Sequence, residues 1–194
     1  MSWKRDLLNN SRDALIEIIN RTFNGEAQKV IELGKAYVNS FRRGGKLLTF
    51  GNGGSAADAQ HLAAEFVNRF RLDRSPLPAI ALTTDTSVLT SIGNDYDFND
   101  IFKKQIEALT TSNDIVLGIS TSGQSPNVIH GLKAAKARGA YTALLAGAGG
   151  KAMEDEFDLV IAVPSTETPR IQEVHLFLEH LFCDIVEQML FGEE

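Results

Sequence analysis

The sequence predicts an α/β fold in three layers, with a central parallel sheet of five strands between helices and additional helices ahead of it. Three observations carry that prediction. Short apolar strands alternate with segments of helical period through most of the 194 residues, the rhythm of strand and crossover helix. Two of the strands end in clusters of small and hydroxylated residues that open a helix, Gly51-Asn52-Gly53-Gly54-Ser55 and Ser120-Thr121-Ser122-Gly123-Gln124-Ser125-Pro126. Ahead of the first strand stand two helical patterns with no strand between them.

Those two patterns cover residues 3–23 and 26–41, the second stopped by Gly44-Gly45. They pack outside the sheet unit or against another subunit. The stripe of Leu8, Leu15, Ile18 and Ile19 suits an internal core and an oligomer seam equally, because periodicity locates a buried face without naming what buries it. Strands are expected at 46–50, 79–82, 115–119, 141–145 and 159–163, and helices at 55–70, 99–109, 126–138 and 169–190. No repeat, low-complexity tract or linker divides the chain. One domain is expected over 1–194, with helices in 1–45 and the α/β unit in 46–194.

Composition narrows the partners. With 25 acidic and 19 basic residues the net charge is -6, and no basic run is present, which argues against unspecific nucleic-acid binding. No stretch approaches the roughly 20 apolar residues of a membrane span, and Met1-Ser2-Trp3-Lys4-Arg5-Asp6 lacks the apolar core of a signal peptide. A soluble, cytoplasmic protein without a membrane partner is the expectation. The single cysteine, Cys183, sits among Leu181, Phe182 and Ile185 and reads as a packed core thiol.

The two strand-to-helix loops are suited to phosphate. Glycine lets backbone N–H groups approach a ligand, hydroxyls add donors, and the following helix turns its positive end toward an anion. A sugar phosphate fits such a site beyond the carboxyl ends of the strands. Either loop alone is as readily a turn and helix cap, and the pair is harder to dismiss. Gly51-x-Gly53 followed by Ala56 half-matches a dinucleotide fingerprint, but the acidic residue it requires is misplaced: Asp73 precedes the second strand and Asp85 follows it.

Proton-transfer or metal chemistry is available on two helices. His61 and Glu65 share a face four residues apart, and Gln172 and His180, eight apart, can look into one cleft two turns apart. Two imidazoles, a carboxylate and an amide suit zinc, and suit proton transfer equally. Taken alone, the His61-Glu65 spacing more often marks a surface ion pair. By spacing alone, His175 and Glu179 have as good a claim. His130 reads as exposed and without a role.

Taken together, several motifs resemble the sugar isomerase (SIS) domain proteins, and within them the phosphoheptose isomerases. The resemblance rests on Gly51 to Ser55, Asp58-Ala59-Gln60-His61 to Glu65, Arg69, Pro78 to Leu82, Gly93-Asn94-Asp95, Gly118 to Gly123 with Ser125, and Arg170-Ile171-Gln172-Glu173-Val174-His175. It spans essentially the whole chain. It implies a Rossmann-like SIS fold and a cytoplasmic homotetramer with sites near subunit interfaces. It implies conversion of sedoheptulose 7-phosphate to D-glycero-D-manno-heptose 7-phosphate through an enediol, toward nucleotide-activated heptose for bacterial surface glycans such as lipopolysaccharide.

By the same resemblance Glu65 is the base and His180 the acid. Asn52, Gly53, Gly54, Ser55, Glu65, Arg69, Asn94, Asp95, Ser120, Thr121, Ser122, Ser125 and Gln172 bind substrate, and His61, Glu65, Gln172 and His180 hold one zinc per subunit. A zinc-bound carboxylate is a weaker base than a free one, so the two roles of Glu65 compete. A noncatalytic branch of the family binds the replication initiator DnaA or senses a sugar phosphate, and retention of Glu65, Gln172 and His180 sets this chain apart from it. One departure stands out: after the fourth strand the isomerases usually read Thr-Gly-x-Asp-Gly-Gly, and this chain reads Ala146-Gly147-Ala148-Gly149-Gly150.

Overall fold

The structure, a computed structural model, describes residues 2–192; Met1, Glu193 and Glu194 of the expected unit lie outside the described residues. The chain runs α1 (Ser2–Arg42), β1 (Leu47–Gly51), α2 (Gly54–Val67), β2 (Ala79–Ala81), α3 (Thr86–Asp95), α4 (Lys103–Leu109), β3 (Ile115–Ser120), α5 (Pro126–Ala137), β4 (Tyr141–Ala146), β5 (Leu159–Ala162) and α6 (Thr168–Phe191). Short 3₁₀ turns occupy Phe98–Asp100 and Ala148–Met153.

The five strands form one parallel sheet in the order β2-β1-β3-β4-β5. From β1 the chain moves outward to β2, then returns to β3 on the other side and continues away through β4 and β5. The order therefore reverses between β1 and β3, whose pairing ends at Gly51 with Ile119. Loops leaving adjacent strands on opposite sides of such a reversal open a crevice at the carboxyl edge. The two phosphate-suited loops leave these two strands.

Alternation along the strands divides the core into two layers. Leu47, Ile115, Leu117, Ile119, Leu145 and Ile161 face α1, α2 and α6, where they meet Leu33, Tyr37, Leu62, Phe66, Leu178 and Phe182. Leu48, Phe50, Val116, Leu144 and Val160 face α3, α4 and α5 and meet Ile92, Phe102, Ile106, Val128 and Leu132. The expected three-layer α/β/α architecture is the one observed.

Three helical expectations are corrected. The two N-terminal helices are one, α1, which continues through Asn24-Gly25. Beside that local break signal, Phe23 packs edge-on against Phe177 of α6 with ring centroids 5.8 Å apart, so tertiary packing overrides propensity. Second, α3 was not expected. Its apolar stripe is short, with Ile92 buried and Val88 and Leu89 partly buried against the core, and Asp85 caps its start, its carboxylate accepting the Val88 N–H at 3.0 Å. Third, the helix expected over 99–109 is a 3₁₀ turn followed by the shorter α4.

The α1 stripe divides along its length. Ile18 is buried, Leu15 and Ile19 are partly buried against the core, and Leu8 is 71% exposed. Cys183 is buried, and burial pushes its thiol well up, as an inert core residue requires. Among the described residues no helix is long and apolar enough to cross a membrane.

Candidate active site at the β1/β3 crevice

The first loop turns at Gly53, whose φ of 57° favours glycine, and α2 begins at Gly54. A Cβ at Gly54 would collide with the Gln172 amide, so glycine there lets α6 lie close to the start of α2. Ser55 is buried beneath Gly51. In the second loop three hydroxyls gather: Ser120 Oγ lies 3.0 Å from Ser125 Oγ and 3.3 Å from Ser122 Oγ, and Ser122 Oγ accepts the Gln124 N–H at 3.1 Å. Ser125 is the residue ahead of α5, so the cluster sits at the positive end of a helix.

The loops are tied together by a residue that sequence reasoning passed over. Asn52 Nδ2 donates to Asn127 Oδ1 at 2.9 Å, and Asn127 Nδ2 donates back to Asn52 Oδ1 at 2.8 Å. Asn127 Oδ1 also accepts its neighbour's Val128 N–H at 2.9 Å. Asn127 is 2% exposed and stands one position beyond Pro126 in the first turn of α5. An asparagine directly after the Ser125-Pro126 helix start was the available signal. The Ala146 to Gly150 segment closes the far side: Gly147 N–H donates to the Thr121 carbonyl at 3.1 Å, and Ala148 N–H to that of Ser165 at 3.0 Å.

Two turns along, α2 and α6 bring together the titratable residues. His61 Nε2 and His180 Nε2 are 2.9 Å apart, and Glu65 Oε1 is 3.7 Å from His61 Nε2. The Phe70 ring stacks on the His180 imidazole, with centroids 5.4 Å apart and planes at 25°. The rival pair does not join them. His175 and Glu179 are fully buried, and none of their side-chain nitrogens and oxygens has a hydrogen-bond partner. Burial pushes His175 down to about 4, against a weaker upward pull from the Ala146 carbonyl it faces outside hydrogen-bond geometry. Burial lifts the Asp58 carboxyl, one turn before His61, to about 6, with His61 pulling the other way.

The remaining predicted residues lie apart. Gln172, at Gly54, is about 12 Å from His180 along the helix by axial rise. Asn94 and Asp95 are exposed at the end of α3 and bond each other, Asn94 Nδ2 donating to Asp95 Oδ1 at 2.8 Å. Arg69 is exposed just past α2, and His130 is half exposed with Asp100 3.5 Å away. Two facing imidazole nitrogens with a carboxylate beside them are donors that fit zinc. They are not a closed cage: among the described residues no three His, Cys, Asp or Glu side chains are gathered as a metal site.

The sheet order, with a glycine-rich and a serine-rich loop at its switch point, is that of a doubly wound α/β domain, and the SIS domain family matches residues 12–147. The phosphoheptose isomerase of Roseiflexus sp. (strain RS-1) is 52% identical over 181 residues, covering 93% of this chain and 92% of that one. Phosphoheptose isomerase GmhA from Neisseria gonorrhoeae superposes with a TM-score of 0.89 at 38% identity, covering 95% of this chain and 98% of that chain. A phosphoheptose isomerase from Francisella tularensis superposes at 0.91 with 37% identity, over 97% of this chain and 100% of that chain. The chain belongs to the SIS-domain family of phosphoheptose isomerases.

Proposed function

We propose that this protein converts sedoheptulose 7-phosphate to D-glycero-D-manno-heptose 7-phosphate. The observation that carries the reading is the meeting of Glu65, His61 and His180 beside a hydroxyl-lined crevice, in a chain half identical to phosphoheptose isomerases. Ketose-to-aldose conversion removes a proton from C1, passes through an enediol and returns a proton to C2. Glu65 takes the carbon-bound proton, and His180 supplies and recovers the proton at the oxygens. Ser120, Ser122, Ser125 and the loop N–H groups hold the phosphate, and that remote contact fixes the reacting end. Gln172, Asn52, Gly53 and Gly54 line the sugar's path between the two.

His61, Glu65 and His180 would hold zinc, with Gln172 engaged by the substrate at the other end of the cleft. When bound, zinc polarises carbonyl and hydroxyl oxygens. On this reading the enzyme works in the cytoplasm as a homotetramer, and its product feeds activated-heptose synthesis for surface glycans such as lipopolysaccharide. The exposed Trp3, Leu7, Leu8 and Ile16 of α1 support association between copies.

The test is NMR of the purified protein with sedoheptulose 7-phosphate in heavy water, with and without a chelator. The expected result is aldoheptose phosphate carrying deuterium at C2. Absence of product from folded, zinc-replete protein overturns the reading, and equal turnover with chelator removes zinc from it.

A further inference from the structure

Behind the His61–His180 contact lies a buried ion pair that reaches both members of the acid/base set. The side chains of Glu187 near the end of α6 and Arg74 between α2 and β2 are each 1% exposed, with Arg74 Nε 2.9 Å from Glu187 Oε1. The same oxygen accepts the Phe70 N–H at 2.9 Å, and Oε2 accepts those of Arg71 and Leu72 at 2.9 Å each. Burial pushes the Glu187 carboxyl up, but the three backbone N–H groups and the guanidinium outweigh it and hold it below its usual range.

Arg74 turns its remaining nitrogens to the end of α2. Nη2 donates to the Glu65 carbonyl at 2.9 Å, and Nη1 to those of Phe66 at 2.9 Å and Ser75 at 3.0 Å. Carbonyls in the last turn of a helix lack intrahelical donors, so Arg74 caps α2 at the residue that carries the base. Capping accounts for those bonds but not for Phe70. Its backbone N–H is held by Glu187, while its ring lies on His180 with the Arg71 guanidinium 5.5 Å from its centroid.

We propose that Glu187, Arg74 and Phe70 are positioning residues: the ion pair fixes the turn that carries Phe70, Phe70 fixes the His180 imidazole, and Arg74 pins the backbone of Glu65. A buried pair is a weak source of net stability compared with apolar residues of the same volume, which leaves geometry as its contribution. The kinetic consequence rests on the isomerase reading. The geometric one does not.

Two readouts separate them. Ring-proton shifts of His180, assigned by their loss in His180→Gln, report the Phe70 stack through its ring current without any substrate. Glu187→Gln replaces one acceptor oxygen by a donor and leaves two of the four donors unmatched; Arg74→Lys keeps the charge and loses the fork. Both should move the His180 signals downfield while those of exposed His130 stay put, and lower kcat about 10- to 100-fold with KM within about threefold. Phe70→Leu should do the same, and Phe70→Tyr should restore both readouts. If Glu187→Gln and Arg74→Lys fail to fold, the Phe70 pair decides the question. Unmoved His180 signals with wild-type kcat in folded variants overturn the proposal. If the wild type is inert on the heptose phosphate, the isomerase reading falls, and the NMR shifts alone support or overturn the positioning role.

Discussion

The Nε2 atoms of His61 and His180 face each other at 2.9 Å. At that separation one ring presents an N–H and the other a lone pair, because two N–H groups or two lone pairs repel. When both rings are neutral, the acceptor carries its proton on Nδ1, and the contact fixes two tautomers at once. Among the described residues Glu65 is the only carboxylate within 4.0 Å of a nitrogen of either ring. The three side chains therefore act as a coupled set.

Glu65→Gln keeps the shape and removes the base. Turnover should fall on the order of 10²- to 10⁴-fold, while substrate affinity stays within about tenfold. Steady-state rates and calorimetric titration measure the two effects separately, and full activity in this variant eliminates Glu65 as the base.

Ser122→Ala removes a hydroxyl that already accepts the Gln124 N–H. If that hydroxyl also donates to phosphate, KM should rise by the equivalent of about 1–3 kcal/mol with kcat nearly unchanged. Initial-rate kinetics across substrate concentrations checks this, and an unchanged KM takes Ser122 out of the phosphate site.

Asn127→Ala leaves the Asn52 amide and the Val128 N–H without partners. Stability should drop by about 1–3 kcal/mol, seen as a lower urea midpoint. KM should rise as well, because Asn52 loses the bond that joins the first loop to the second. A stability loss with KM unmoved would make the bridge purely structural.

His175 ties stability to pH. Its folded value, about 4, lies below its ordinary 6.5, so between these limits the unfolded chain binds the proton and the folded chain does not. Stability from this group is therefore complete above pH 6.5 and is lost as pH falls toward 4, by on the order of 3 kcal/mol. Urea denaturation at pH 7 and pH 4.5 should show a shallower acid loss in His175→Gln than in the wild type. Parallel losses would mean that His175 is solvated in the folded protein.

All five strands were legible, because buried parallel strands are short apolar runs and the glycine-rich loops punctuate them. The serines of the second loop were legible as part of that punctuation, and spacing put His61 and Glu65 on one face of α2. What escaped was what depends on distant packing. Continuity of α1 through Gly25 is accompanied by the Phe23 contact with Phe177, and α3 combines the Asp85 cap with a short stripe of Val88, Leu89 and Ile92. Phe70, Arg74 and Glu187 belong to no motif in the sequence, and it is the fold that brings Glu187 into bonding distance of residues more than 100 positions away. His175 and His180 were indistinguishable by spacing; the family resemblance chose His180, and the packing of α6 buries His175 and leaves His180 partly exposed.

The outer strands of the sheet are its shortest, β2 with three residues and β5 with four. An open sheet edge is a template on which another extended chain can add, and brevity is one of the ways proteins blunt it. Here neither edge offers more than a few free ladder positions, so strand addition, runaway stacking and aggregation through the sheet are all disfavoured. Encounters between copies are left to helical surface, where apolar side chains can interlock and the contact can end after a fixed number of partners.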